Sequence, residues 1–470
     1  MGNIFRQANQ VVVWLGDAQD ITEAAINPLS SENATETLSN SVQRVFFTLL
    51  SKSYWTRVWI IQELAEASKI TVLCGHYNLL WEGLESFSRS TFTPSFDGAD
   101  GGELKAKFQE LLQFRIDRLS IKPVSLLELL YRSRSACSTD PRDKIYGLLG
   151  LAYDSHVYVP EPNYNLSVEE TYTKFSRTFI EKGYPLDLIY LRSSRRGIHE
   201  SLPSWVVDWQ DLNDALAKQE FEHILASVRR STQSFPPTLS SQPSFSSYNL
   251  TVSGAILRTI DGVGSALSAD GSHFTASGKT AKNRSSSVPA DYDHSTYIFN
   301  ALLETQKQPS ATTNPPPNPI GLWSCEPAKL EKYLCGPVEP RLEALSKWID
   351  ANSSFTALGK TMKIWDNIWT SQQVSTDRDS RRDNTGHDID LCGLAATILS
   401  GMRIATLETG ELGWVHPQSQ EGDKISKIFG CSRYVVLRPV VKGFRVIGEA
   451  RVSWFAGKPE LSKRENLILT

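Results

Sequence analysis

The sequence predicts an α/β fold built on a partial parallel sheet, followed by a mostly helical region and a small C-terminal antiparallel β unit. Three observations carry this. Between Tyr54 and Ser68 there is no Gly or Pro, and the chain then enters Ile70 to Cys74 (ITVLC), so a helix leads into a strand apolar enough to be buried on both faces. Val11 to Leu15 (VVVWL) is a second continuously apolar strand of the same kind. From Arg403 to Val452 the apolar period changes to two, with turn signals at Thr409-Gly410, Glu421-Gly422-Asp423 and Lys442-Gly443, which describes about five short strands in a unit of small-barrel size.

Length and composition bound the rest. A chain of 470 residues is too long for one hydrophobic core, and 40% hydrophobic residues is ordinary for a globular protein. A net charge of -3 gives no general attraction to nucleic acid, and the sequence holds no local basic patch, so no nucleic-acid partner is expected. No run approaches the roughly 18 apolar residues of a membrane helix, so no membrane partner and a cytoplasmic location are expected. The six cysteines show neither CxxC nor Cys/His metal spacing and read as reduced structural thiols, with no metal implied.

Taken in order, Ile4 to Asn9 looks like the last turns of a helix, and the strand after it calls for a parallel neighbour on each side, so upstream strands are expected to be missing. Ser41 to Leu50 is a short amphipathic helix. Within the next stretch Trp55, Trp59 and Glu63 fall at i, i+4 and i+8, which on one uninterrupted helix sets a carboxylate on an aromatic stripe. A turn at His76 to Asn78 then leads to a helix from Trp81 to Arg89. Glu103 to Tyr131 forms two helices split at Pro123. Asp140-Pro141-Arg142-Asp143 signals a helix start for Lys144 to Leu151, and Ser167 to Glu170 is a capping box opening the helix of Tyr172, Phe175 and Phe179.

Leu202 to Trp209 reads as an apolar segment with Asp208 facing outward. Tyr248 to Gly264 alternates like strand pairs. Ser265 to Pro319 is too rich in Ser, Thr, Asn and Pro to be core. In that segment Gly278-Lys279-Thr280 lacks the first glycine of a phosphate loop. Later, His387 to Asp390 has metal-ligand residue types without a third ligand and is read as a capped loop. His416 is given no role.

The expected division is 1–152, the C-terminal part of an α/β domain with capping helices; 153–230, a helical extension; 231–247, a linker; and 248–264, a β segment. After these come 265–320, a disordered insert; 321–402, a helical region with a flexible loop at 371–387; and 403–457, the small β unit.

With these residues in view, the chain resembles the fungal heterokaryon incompatibility (HET) domain proteins. The matching pieces are Ala8 to Gly16, Tyr54 to Leu64 (YWTRVWIIQEL), Val72 to Gly75 with Trp81, Asp140 to Ala152 (DPRDKIYGLLGLA), Pro162 to Ser167, Pro203 to Trp209, and the C-terminal run through Glu421-Gly422-Asp423, Leu437-Arg438 and Gly448-Glu449. Two departures stand out. Family members usually begin with a Ser-Tyr-x-Trp-Gly strand and a Trp-Ile-Asp block that this sequence lacks, and Trp454 to Gly457 replaces the usual Tyr-Val-x-Gly.

The resemblance implies a role in fungal nonself recognition and incompatibility cell death, with self-association or another incompatibility protein as partner. The HET domain in turn looks like a divergent TIR domain of flavodoxin-like sheet, and Trp59-Ile60-Ile61-Gln62-Glu63-Leu64 matches the TIR block Trp-x-x-x-Glu-Leu. That implies Glu63 as a catalytic residue and Trp55, Trp59 and Arg57 as ligand contacts, with NAD as substrate and no resident cofactor.

Each of these residues also has an ordinary use. Trp55 and Trp59 can pack against the sheet, Glu63 can pair with Arg57 or Lys69, and Arg57 can be a surface charge. Without the upstream strands, an inactive scaffold or interaction module is the third expectation.

Overall fold

The computed structural model describes residues 2–18, 21, 23–30, 39–89, 99–120, 122–159, 161–183, 185–192, 201–231, 243–267, 297–298, 301–302, 338–368, 392–454 and 464–470. The segments 232–242, 278–280 and 371–390, which hold most of the expected linker, the rejected phosphate loop, the flexible loop and His387 to Asp390, lie outside them. The chain divides into two compact units, Met1–Phe175 and Ser176–Thr470.

The first unit begins with α1 (Gly2–Gln7) and β1 (Val11–Trp14), continues through α2 (Asn40–Leu50) and α3 (Trp59–Glu66), and returns in β2 (Ile70–Cys74). β1 and β2 pair in parallel with Val11 opposite Ile70 and Trp14 opposite Leu73, the expected α/β arrangement. The sheet is nevertheless mixed. β3 (Tyr77–Leu80) folds back antiparallel on β2, so the residues read as a plain turn are half a hairpin. Its tight corner depends on Gly75, which takes φ +55 and leaves only 2.8 Å between a built Cβ and that of Ala18. Nor is β1 buried on both faces: Val13 is fully covered, whereas Val12 and Trp14 are 48% and 53% exposed.

α4 (Trp81–Ser88) lies against β2 and β3, and α2 and α4 each pack on the long α5 (Ala99–Leu119). Their shared centre is Phe108, whose ring lies 6.4 Å from Phe46, 5.3 Å from Trp55 and 5.5 Å from Trp81. The buried acid of this layer is Glu66 rather than Glu63. The Glu66 carboxylate accepts two 2.9 Å bonds from Arg6 on α1 and pairs with Arg118 on α5, so one charge ties three helices together. Arg115 caps the end of α3 by donating to the Leu64 and Ala67 carbonyls.

Pro123 separates α5 from α6 (Leu126–Arg132), as expected. The Asp140 block starts a single helical turn, Asp143–Tyr146, followed by turns through Leu151. It is laid directly on α3. A Cβ at Gly147 would come within 3.4 Å of Val58, and one at Gly150 would stand 1.9 Å from the buried Gln62 amide, so the two motif segments touch where one has no side chain. The capping box forms as read: the Glu170 amide donates to Ser167 Oγ at 3.1 Å and the Ser167 amide to Glu170 Oε2 at 2.8 Å, opening α7 (Val168–Glu181).

The second unit holds α8 (Ala215–Ser231) and a sheet whose strands close on themselves. After the short β4 (Ser244–Ser246), β5 (Asn249–Val263) is one 15-residue strand rather than a pair of strands. It pairs with β6 (Arg403–Leu407) at its end and with β8 (Lys424–Ile428) in its middle. β6 pairs with β7 (Leu412–Val415), β7 with β10 (Gly443–Ser453), β10 with β9 (Tyr434–Val440), and β9 with β8. The ring β5-β6-β7-β10-β9-β8 is therefore an antiparallel barrel. The five strands expected between 403 and 457 are present, and β5, expected as a separate segment, is the sixth stave. Ile260, Leu407, Val415, Ile425, Val436 and Ile447 fill the interior. The last strand, β11 (Glu465–Leu469), runs antiparallel along the early part of β5.

A second core is built from α9 (Val338–Asn352) and α10 (Cys392–Leu399) around Trp348 and Trp414, whose rings are 5.5 Å apart. Tyr297, Ile298, Ala301 and Leu302 are buried in it. The Tyr297 hydroxyl accepts the Leu412 amide at 2.8 Å. These four residues of the segment expected to be disordered are thus core, because they meet a hydrophobic surface made elsewhere in the chain. Trp205 and Trp209 are buried as expected, with Asp208 half-buried. His416 is fully buried, its ring lying against Gly448 where a Cβ would stand 2.5 Å away, and is structural. Among the described residues no helix is long and apolar enough to cross a membrane.

Candidate functional site

The helix expected from Tyr54 to Ser68 is broken. Ser53–Thr56 is a 3-10 turn and Arg57 is extended (φ -79, ψ 136), after which α3 begins at Trp59. The break has a long-range cause: the chain here bridges to Cys137, with the Val58 amide donating to the Cys137 carbonyl at 2.8 Å. A segment drawn into such a bridge cannot also complete the helical hydrogen-bond pattern.

The consequence for the aromatic stripe is direct. Trp55 turns into the core, 8% exposed, its indole N–H satisfied by the Leu49 carbonyl at 2.8 Å, and it is removed as a ligand contact. Trp59 and Glu63, four residues apart on α3, do share a face and are both half-buried. Arg57 is exposed, its guanidinium 5.8 Å from the Tyr54 ring.

What the structure adds is a set of partners. The Tyr54 hydroxyl donates to Glu63 Oε2 at 3.1 Å, so neither Arg57 nor Lys69 is the group that holds this acid. The Trp59 indole N–H donates to Asp143 Oδ2 at 2.9 Å, and the other oxygen of Asp143 accepts the Tyr164 hydroxyl at 2.6 Å. Burial first, and then the neighbouring carboxylate, push both phenols above their ordinary range, so Tyr54 and Tyr164 stay protonated as donors. Arg142 lies 5.2 Å from the Tyr164 ring and grips Asp140 through two side-chain bonds, which hold the Asp140 carboxyl below its usual range.

Two tyrosine–carboxylate pairs, each with an arginine beside its ring, therefore flank one tryptophan. Such an arrangement can stack a planar ring on the indole and bind hydroxyls or a developing positive charge at Glu63, with Arg57 at the rim for an anion. Among the described residues no group of three His, Cys, Asp or Glu is placed to hold a metal ion.

Sequence reasoning found Trp59 and Glu63 and missed Tyr54, Asp143 and Tyr164. Asp143 was visible only as a helix-start acid, and nothing in its local pattern points to an indole on another segment. The signal that could have found it is the presence of both motif blocks in one compact unit.

The family model for heterokaryon incompatibility protein (HET) matches residues 1–63, a span that ends on Glu63. The chain is also 24% identical, over a 290-residue alignment covering 46% of this chain and 42% of the relative, to heterokaryon incompatibility protein 6, OR allele, of Neurospora crassa. It thus matches about two-fifths of that relative's length. No solved structure matches the chain. The N-terminal residues of this chain are thus similar to the heterokaryon incompatibility family, and a longer stretch of it is similar to an incompatibility protein of Neurospora crassa.

Proposed function

We propose that the chain acts in fungal nonself recognition, promoting incompatibility-type cell death through its first unit, and that Glu63 is the reacting carboxylate of a TIR-like cleavage of NAD. The observation that carries the reading is the Glu63 carboxylate, oriented by the Tyr54 hydroxyl and one helical turn from Trp59 inside the segment that matches the HET family. Breaking the nicotinamide–ribose bond builds positive charge on the sugar. A fixed carboxylate stabilises that charge, and an indole face can hold the planar ring.

Purified full-length protein incubated with NAD should release nicotinamide. Glu63→Gln, whose amide oxygen still accepts from Tyr54, should lower the rate about 100-fold or more. Equal rates from the two proteins would end the enzymatic reading.

A second reading, in which the unit works by association with a second copy, is favoured by the open face of β1 with its exposed Val12 and Trp14. Sedimentation velocity should then show concentration-dependent association that Trp14→Lys abolishes. Two concentration-independent monomers would exclude it.

A further inference from the structure

We propose that Asp143 is a positioning residue of the Glu63 site, and that the Asp140 to Gly150 segment forms its second wall; this rests on the reading of Glu63 as a ligand-binding carboxylate. A half-buried tryptophan on a helix surface ordinarily samples more than one rotamer. Trp59 is held instead at the edge of its ring, because its N–H is bound to Asp143 Oδ2 at 2.9 Å and that carboxylate is itself fixed by Tyr164 through Oδ1. The segment carrying Asp143 is in turn locked in place. Lys144 is buried and donates to the Arg134 and Ala136 carbonyls, and Gly150 lets the backbone close onto Gln62 of α3. A chain of bonds therefore runs from Tyr164 through Asp143 to the indole, and stops there.

Each oxygen of Asp143 already accepts one bond, from Trp59 and from Tyr164, and its part in the site is to act through Trp59. The groups left to a ligand are the indole face, the Glu63 carboxylate and the exposed guanidinium of Arg57. Together they suit a phosphorylated ribonucleoside: the base stacks on Trp59, ribose hydroxyls donate to Glu63, and a phosphate meets Arg57.

The test is binding of carba-NAD, in which a carbocycle replaces the nicotinamide ribose ring so that the planar base and hydroxyls are kept and the bond is not cleaved, to the full-length protein by calorimetry. Asp143→Ala should weaken binding about tenfold, the effect of losing one charge-assisted hydrogen bond. Trp59→Phe, which removes the indole N–H and keeps an aromatic face, should weaken it by a similar factor. Asp143→Ala added to Trp59→Phe should cause no further loss, because the bond through which it acts is already gone. Tyr164→Phe, milder in its effect on folding, should weaken binding about threefold and serves as the second variant if Asp143→Ala does not fold.

Wild-type binding by Asp143→Ala, or the same loss whether Asp143→Ala is made alone or on top of Trp59→Phe, would overturn the inference while leaving Glu63 intact. Loss with Asp143→Ala but none with Glu63→Ala would uphold the Asp143–Trp59 pair and sink the Glu63 reading. Failure of the wild-type protein to bind would sink both.

Discussion

Trp55→Ala is expected to destabilise the first unit by about 3–5 kcal/mol, the cost of removing a large buried aromatic and leaving a cavity. The side chain is 8% exposed, stands edge-on to Phe108 at 5.3 Å and satisfies the Leu49 carbonyl, so both packing and a hydrogen bond are lost together. Trp59→Ala should cost about 1–2 kcal/mol, since Trp59 is half-buried and its one hydrogen bond goes to Asp143 at a part-open site. Hydrogen exchange of β2 and α5 amides reports on this unit alone and separates the two variants. Equal loss of protection would mean that Trp59 is as much a core residue as Trp55, and the division between packing and site would fail.

The second large effect is a pH dependence of the barrel unit set by Glu220. Its carboxyl is 1% exposed, receives one 3.1 Å bond from the Arg192 amide, and leaves Oε1 without a partner. Glu449 is buried too, but Arg451 and Arg433 pair with it. Burial, and after it the charge of Glu449, push the Glu220 carboxyl well above its ordinary value of 4.5. Because the folded value lies above the unfolded one, the unfolded chain releases this proton first.

The contribution of Glu220 to stability is therefore fully present below pH 4.5 and declines as the pH rises towards the folded value, by about 1.4 kcal/mol per pH unit for one proton. Glu220→Gln, neutral and of the same shape, should remove this slope and make the unit more stable than wild type at neutral pH. Exchange of β9 and β10 amides between pH 5 and 8 measures it. A slope unchanged in Glu220→Gln would refute the assignment.

Local chemistry made several elements legible. The capping box at Ser167 needs only residues three apart, and the strands between 403 and 453 announce themselves by alternation and turn residues. The Trp59–Glu63 pair was legible for the same reason, since a four-residue spacing on one helix fixes a shared face. The position of Trp55 was not. Its place depends on the bridge at Cys137, which breaks the helix at Arg57, and no periodicity within residues 54–68 encodes a partner so far along the chain. The single strand β5 was misread for a like reason, because it is held along its length by four separate neighbours, β4, β11, β8 and β6.

Residue order alone dictated which segments could form helices, caps and strands, and that Glu63 and Trp59 share one face, because these follow from bonds and contacts within a few residues. The folded chain decided that Trp55 is core, that Tyr54 holds Glu63, that Asp143 holds Trp59, and that the β unit closes with β5 as its sixth stave. Each of those outcomes rests on a hydrogen bond or packing contact outside the local pattern that sequence periodicity describes, and such a contact exists only after the chain has folded back on itself.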